Sequence, residues 1–172
     1  STPESDASTG MIAVGAATDD GRRLVFAVTL DGHLIASDDS GERWHALDPP
    51  FDGATIVSLA YSPDDARNHA LYVGTVQPIP GVNESEMTVW RSTDGGSSWA
   101  RWLEERGDGG ILPLVVASEH TDDALFVGLA GRVMQPRRNA WQTRGGVRAP
   151  LWQGALLTTD DGDAATITAL AV

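Results

Sequence analysis

The chain contains no cysteine, no lysine and no apolar run long enough to cross a membrane. The first absence removes disulfides, thiolate metal sites and cysteine nucleophiles, and leaves the redox compartment unreadable. The last argues against membrane insertion. Nor does the start, Ser1 to Gly10, carry the basic and apolar segments of a signal peptide; it reads as a polar, disordered tail or as a mature end left by processing. All twelve basic residues are arginines, set against 24 acidic ones, for a net charge of −12. Such a surplus argues against general binding of nucleic acid or anionic lipid and favours solubility.

What the chain does have is a repeat. Its 172 residues suffice for one domain with a full core. The octapeptide Ser92 to Trp99, Ser-Thr-Asp-Gly-Gly-Ser-Ser-Trp, has an earlier copy at Ser37 to Trp44, and both read Ser-x-Asp-x-Gly-x-x-Trp. Each is entered from an alternating strand-like run and left through a short apolar one, the pattern of a β-hairpin turn. Asp39 or Asp94 can accept hydrogen bonds from backbone N–H groups that a turn leaves unpaired, and Ser37 or Ser92 can do the same from the strand end. Gly41 or Gly96 supplies a backbone angle that a residue with a Cβ adopts only at a cost. Trp44 or Trp99 starts the next strand with a ring large enough to cover the turn. The motif is expected to be structural wiring.

These octapeptides resemble the Asp-box, or BNR repeat, of sialidases, of the sortilin-type ten-bladed propellers and of photosystem assembly factors of plants and cyanobacteria. The second copy matches at every position, with Ser98 where the family prefers Thr; the first has Arg43 there. The resemblance implies that the box joins the third and fourth strands of a β-propeller blade, away from any active site.

Taken in order, the chain predicts strands at Met11 to Ala17, Arg23 to Thr29, His33 to Ser37 and Trp44 to Leu47, with an Asp-Gly hairpin signal at Asp31-Gly32. The pattern returns at Thr55 to Tyr61, Ala70 to Val76, Met87 to Ser92 and Trp99 to Leu103, with a lengthened connection over Gln77 to Glu86. A third pass runs through Ile111 to Ser118, Ala124 to Leu129 and Arg132 to Gln135. A connector, Pro136 to Pro150, then leads to a fourth strand at Leu151 to Leu157, which places Trp152 53 residues after Trp99; Trp141 is the alternative for that role. Thr166 to Val172 copies the first strand again. The fold class is therefore all-β, with four-stranded antiparallel propeller blades: blade one at 11–54, blade two at 55–109, blade three at 110–165 and one extra inner strand at 166–172. Three blades cannot close a ring, so closure is expected from further blades or from a second chain, for example as a six-bladed pair.

Charge is segregated along the chain. Arg132 to Thr159 holds five arginines and no acid, +5 in a chain of −12, which leaves −17 for the rest. Arg137, Arg138, Arg144 and Arg148, with Trp141, are candidates for capturing a carboxylate, phosphate or acidic surface, since arginine offers a bidentate fork and stacks on aromatic rings. A loop that neutralises the acidic blades of its own assembly is the competing reading. The acidic pairs Asp19-Asp20, Asp64-Asp65, Asp122-Asp123 and Asp160-Asp161 match no calcium loop and read as turns, and His33, His45, His69 and His120 lack paired metal spacing. No metal, cofactor or catalytic residue is assigned. Sialidases use an arginine triad and a tyrosine nucleophile; here the Arg-Ile-Pro segment is absent, and Tyr61 and Tyr72 fall within predicted strands. The expected function is a non-catalytic binding or assembly module for a protein or glycan partner, presented through Gln77 to Glu86 and Pro136 to Pro150. Part of a sialidase-like enzyme with its catalytic residues elsewhere, and a purely structural subunit of a complex or cell envelope, are the alternatives. An extracytoplasmic location follows from the family tendency alone, and Asn83-Glu84-Ser85 is a glycosylation sequon in a secretory eukaryotic setting.

Overall fold

The computed structural model describes residues 12–17, 23–62, 70–108, 112–117, 124–129, 131–144 and 147–162. The expected N-terminal tail, the acidic pairs at 19–20, 64–65 and 122–123, His69, His120 and the expected extra strand at 166–172 lie outside them.

The described residues form strands and turns and no helix. The strands are β1 (Ile12–Ala17), β2 (Arg23–Val28), β3 (Leu34–Ser37), β4 (His45–Ala46), β5 (Thr55–Tyr61), β6 (Leu71–Pro78), β7 (Ser85–Ser92), β8 (Ala100–Gly107), β9 (Leu114–Ala117), β10 (Ala124–Leu129), β11 (Arg132–Arg144) and β12 (Val147–Leu156). They make three four-stranded sheets, each an antiparallel meander in chain order: β1 to β4, β5 to β8 and β9 to β12. None of the sheets closes on itself. The first strands face one another in sequence, β1 against β5 and β5 against β9, while β8 lies against β12.

Side chains of a strand alternate between its two faces, and the middle sheet is apolar on both. Leu59, Tyr61, Leu71, Val73 and Trp90 pack against Phe26, Val28, Leu34 and Ala36 of the first sheet. Tyr72, Val76, Met87, Val89 and Leu103 point the other way, onto Leu125, Val127, Leu129 and Met134 of the third. Phe51, in the connection between the first two sheets, closes one core by packing on Trp90 and Trp99 at centroid distances of 5.0 and 5.1 Å. The other is tied by Ser58, whose hydroxyl donates to the Leu112 carbonyl across 54 residues.

The structure moves several expected boundaries. β6 runs to Pro78 and β7 begins at Ser85, so the connection expected over Gln77 to Glu86 shrinks to 79–84, closed by the Ile79 N–H on the Glu84 carbonyl at 2.9 Å. β8 continues to Gly107 instead of ending at Leu103. The largest correction concerns Pro136 to Pro150. This is no loose connector: it forms much of a long hairpin, β11 with β12, whose pairing shifts at a bulge between Pro136 and Trp141 and resumes to Arg144↔Val147. Beyond Met134 the described pairing of β11 is with β12 alone, and β12 is an edge strand. Each proline thus sits on a strand with an unpaired side, where a missing N–H is tolerated.

Gly74 of β6 lies against Ser58 of β5 and against Leu112, in the connection that leads to β9. A Cβ there would fall on Ser58 Oγ and lie 3.0 Å from Leu112 Cδ2. Gly74→Ala is expected to lower stability by about 1–3 kcal/mol, the usual cost of overpacking a filled interior, read as a lower urea midpoint with an unchanged slope.

Candidate functional site

The two Ser-x-Asp-x-Gly-x-x-Trp turns connect β3 to β4 and β7 to β8, and their hydrogen bonds are the same. Ser37 Oγ donates to Asp39 Oδ1 at 2.8 Å and accepts the Gly41 N–H at 2.8 Å; Asp39 Oδ1 accepts the Arg43 N–H at 2.8 Å. Ser92 Oγ, Asp94 Oδ1, Gly96 N–H and Ser98 N–H repeat these three contacts at the same distances. Ser37 and Ser92 are fully buried, so each hydroxyl satisfies a turn amide from the inner side of the turn. Ser98 adds a hydroxyl bond to Asp94 Oδ2, which Arg43 cannot supply to Asp39.

Two residues per turn occupy the left-handed region. In the second they are Gly95 and Gly96, with φ of 69° and 93°; in the first they are Ser40 and Gly41, with φ of 66° and 93°. Ser40 therefore carries strain that Gly95 does not. The turns also differ in cover. Leu47, just after β4, lies so close to Gly96 that a Cβ there would come within 2.6 Å of Leu47 Cδ1. Trp99 is half-buried on Phe51, and its indole N–H donates to the Gly96 carbonyl at 3.0 Å. Trp44, at the matching place in the first sheet, is 39% exposed.

The wiring shifts the carboxylates. The Ser98 hydroxyl and amide, with Ser92, hold the Asp94 carboxyl below the ordinary carboxylate value of 3.8. The Arg43 amide and Ser37 hydroxyl do the same for Asp39. Both groups lie at the solvent boundary, so the effect comes from hydrogen bonds to the ionised form.

Among the candidate arginines, the side chains of Arg137 and Arg148 are described. Arg137 is exposed on β11. Arg148 lies over the ring of Trp141 at 4.7 Å. Arg138 and Arg144 belong to β11, and their side chains lie outside the described residues. Arg132, from the same basic stretch, pairs with Glu105 of β8 at 2.9 Å.

What the hairpin builds is a cleft that sequence reasoning missed. It opens between β8 and the β11–β12 hairpin, has a volume of about 600 Å³, and is lined by Trp99, Trp102, Trp152, Glu104, Glu105 and Gln142 among others. Trp152 donates its indole N–H to the Trp102 carbonyl at 2.9 Å, tying β12 to β8. Arg91 lies over Trp102 at 4.7 Å and Arg101 over Trp90 at 5.1 Å, while Trp141 meets Trp102 edge to face at 6.0 Å. The available signal was the pair Trp99-x-x-Trp102 with Trp152 fifty residues on. A smaller dent of about 100 Å³ beside Trp90 is lined by Thr75, Gln77, Glu86 and Arg101.

Tyr61 packs on Phe26 in one core, where burial pushes its hydroxyl pKa up, and Tyr72 sits in the other, accepting the Arg91 Nε–H at 3.3 Å. His33 and His45 are exposed, His33 beside Asp31 at 3.4 Å. Among the described residues no group of three or more His, Cys, Asp or Glu is placed to hold a metal, and no helix is long and apolar enough to cross a membrane. No protein-family model matches the chain, and comparison with curated proteins finds no match.

Two outcomes follow from the turns. Because the folded pKa of Asp39 and Asp94 lies below the unfolded value, their contribution is complete above 3.8 and is lost as pH falls through the lowered folded values. Asp39→Asn/Asp94→Asn is expected to lower the urea midpoint at neutral pH and to lose part of the parent's decline below 3.8. Parallel pH curves for parent and variant would contradict this. Ser40→Gly, which removes left-handed strain from an exposed side chain, is expected to raise stability by about 0.5–1 kcal/mol, measured by the same unfolding.

Proposed function

We propose that the chain is part of an Asp-box β-propeller and works as a non-catalytic binding or assembly module for a protein or glycan partner. One observation carries the reading. The same three hydrogen bonds recur 55 residues apart, in the same third-to-fourth-strand turn of consecutive four-stranded meanders. On this reading each meander is a blade, spanning 11–54, 55–109 and 110–165, and β1, β5 and β9 are the inner strands. Paired apolar faces lock neighbouring blades into a rigid body, and the irregular parts of the third sheet present side chains to a partner. Arg137, Arg138, Arg144 and Arg148 supply forks for carboxylate or phosphate, with Trp141 as the stacking surface.

The exposed Trp44 supports an array that continues past the first sheet, since Phe51 covers its counterpart Trp99. Completion comes from further blades or from a second copy. Light scattering of the chain is therefore expected to return a mass above that of one chain, and Trp44→Glu to shift it to a single chain. A parent that remains a cooperatively folded monomer would sink closure by a second copy and leave completion to further blades. The assembled species is expected to leave a fluorogenic sialoside uncleaved; turnover would place the chain among glycan-processing enzymes instead.

A further inference from the structure

We infer that the cleft between β8 and the β11–β12 hairpin is a binding site for a neutral oligosaccharide. This rests on the binding-module reading and adds to the hairpin arginines a second site with a ligand class of its own.

The rings are fixed before any ligand arrives. The indole N–H of Trp152 is engaged by the Trp102 carbonyl at 2.9 Å and that of Trp99 by the Gly96 carbonyl at 3.0 Å, and both rings are half-buried. A pyranose presents a flat face of C–H groups, which needs a held aromatic plane and gains from not having to order it. Each charged group that lines the cleft is paired. Arg101 pairs with Glu104 at 2.7 Å and Arg132 with Glu105 at 2.9 Å. An anionic ligand would meet Glu104 and Glu105 and a cationic one Arg101, so a ligand without charge is favoured over both. The same groups, with the exposed amide of Gln142, are planar donors and acceptors suited to pairs of neighbouring hydroxyls. An apolar peptide would bury the Gln142 amide and the remaining donors and acceptors of these pairs without offering them a hydrogen bond, at a cost a sugar avoids. The volume of about 600 Å³ suits a short oligosaccharide, inside the roughly 300–1,000 Å³ range of small-ligand sites.

The full chain is titrated with cellohexaose, maltohexaose and N-acetylchitohexaose, and the indole N–H resonances are followed by NMR, with calorimetry for affinity. At least one sugar is expected to move the Trp99, Trp102 and Trp152 signals and leave Trp44 in place. Gln142→Ala is expected to weaken that sugar about five- to tenfold, the loss of one or two hydrogen bonds. Silence to all three, shifts confined to Trp44, or an unchanged affinity in Gln142→Ala would overturn the assignment. A heparin hexasaccharide and an extended Leu/Val peptide are titrated alongside. If either binds at the hairpin while the neutral sugars do not, the neutral-sugar assignment fails and the binding-module reading stands. A chain that ignores all five probes and remains a folded monomer loses both.

Discussion

β6 sends Leu71 and Val73 to one side of the middle sheet and Tyr72 and Val76 to the other, and all four are buried. A sheet apolar on both faces has no solvent side, so it must be covered twice, and the neighbouring sheets are held in place by that requirement. Each large side chain taken out of water contributes about 1.5–3 kcal/mol. A slip of one residue in the pairing of β6 would exchange the two sets of side chains and misfit both cores at once. Thr75 and Thr88 are buried among them, and their polarity is absorbed locally: Thr75 Oγ1 accepts the Trp90 indole N–H at 3.0 Å. The register of one sheet thereby positions three.

The turns answer a different need. A tight connection leaves backbone amides without ladder partners, and the serine and aspartate of each turn supply those partners from within eight residues. Their geometry is thus independent of the rest of the chain, which is why two copies with different neighbours have the same bond lengths. Cover is not independent. Leu47 and Phe51 reach the second turn from the connection that follows β4, and among the described residues the difference between Trp44 and Trp99 is the difference between a turn with that neighbour and one without it.

The legible part of the sequence was the part governed by local rules. Thr55 to Tyr61 and Ala124 to Leu129 are strands over the residues expected, because alternation and flanking turn residues are sufficient there. The all-β class and the third-to-fourth-strand position of both turns were readable for the same reason. Pro136 and Pro150 were not readable, since proline excludes a central strand but not a strand with an unpaired side, and which side is unpaired is decided by the rest of the sheet. The tryptophan cleft was hidden more deeply. Trp99, Trp102 and Trp152 come together because β8 runs on to Gly107 and because β12 folds back beside it, and neither extent is set by local preference.

The outer part of the β11–β12 hairpin has mechanical consequences. From Trp141 to Ala149 its strands are laddered to each other, the pairing is interrupted on the inner side by a bulge, and Trp152 is pinned to Trp102 just beyond it. Such an arrangement is a lever with its fulcrum at the bulge. Gln142 and Arg148 lie on the far side of that bulge, and Trp152, with its bond to Trp102, on the near side. The Gln142 side of the cleft is thus held by one irregular pairing, and the Trp152 side by the indole bond to Trp102.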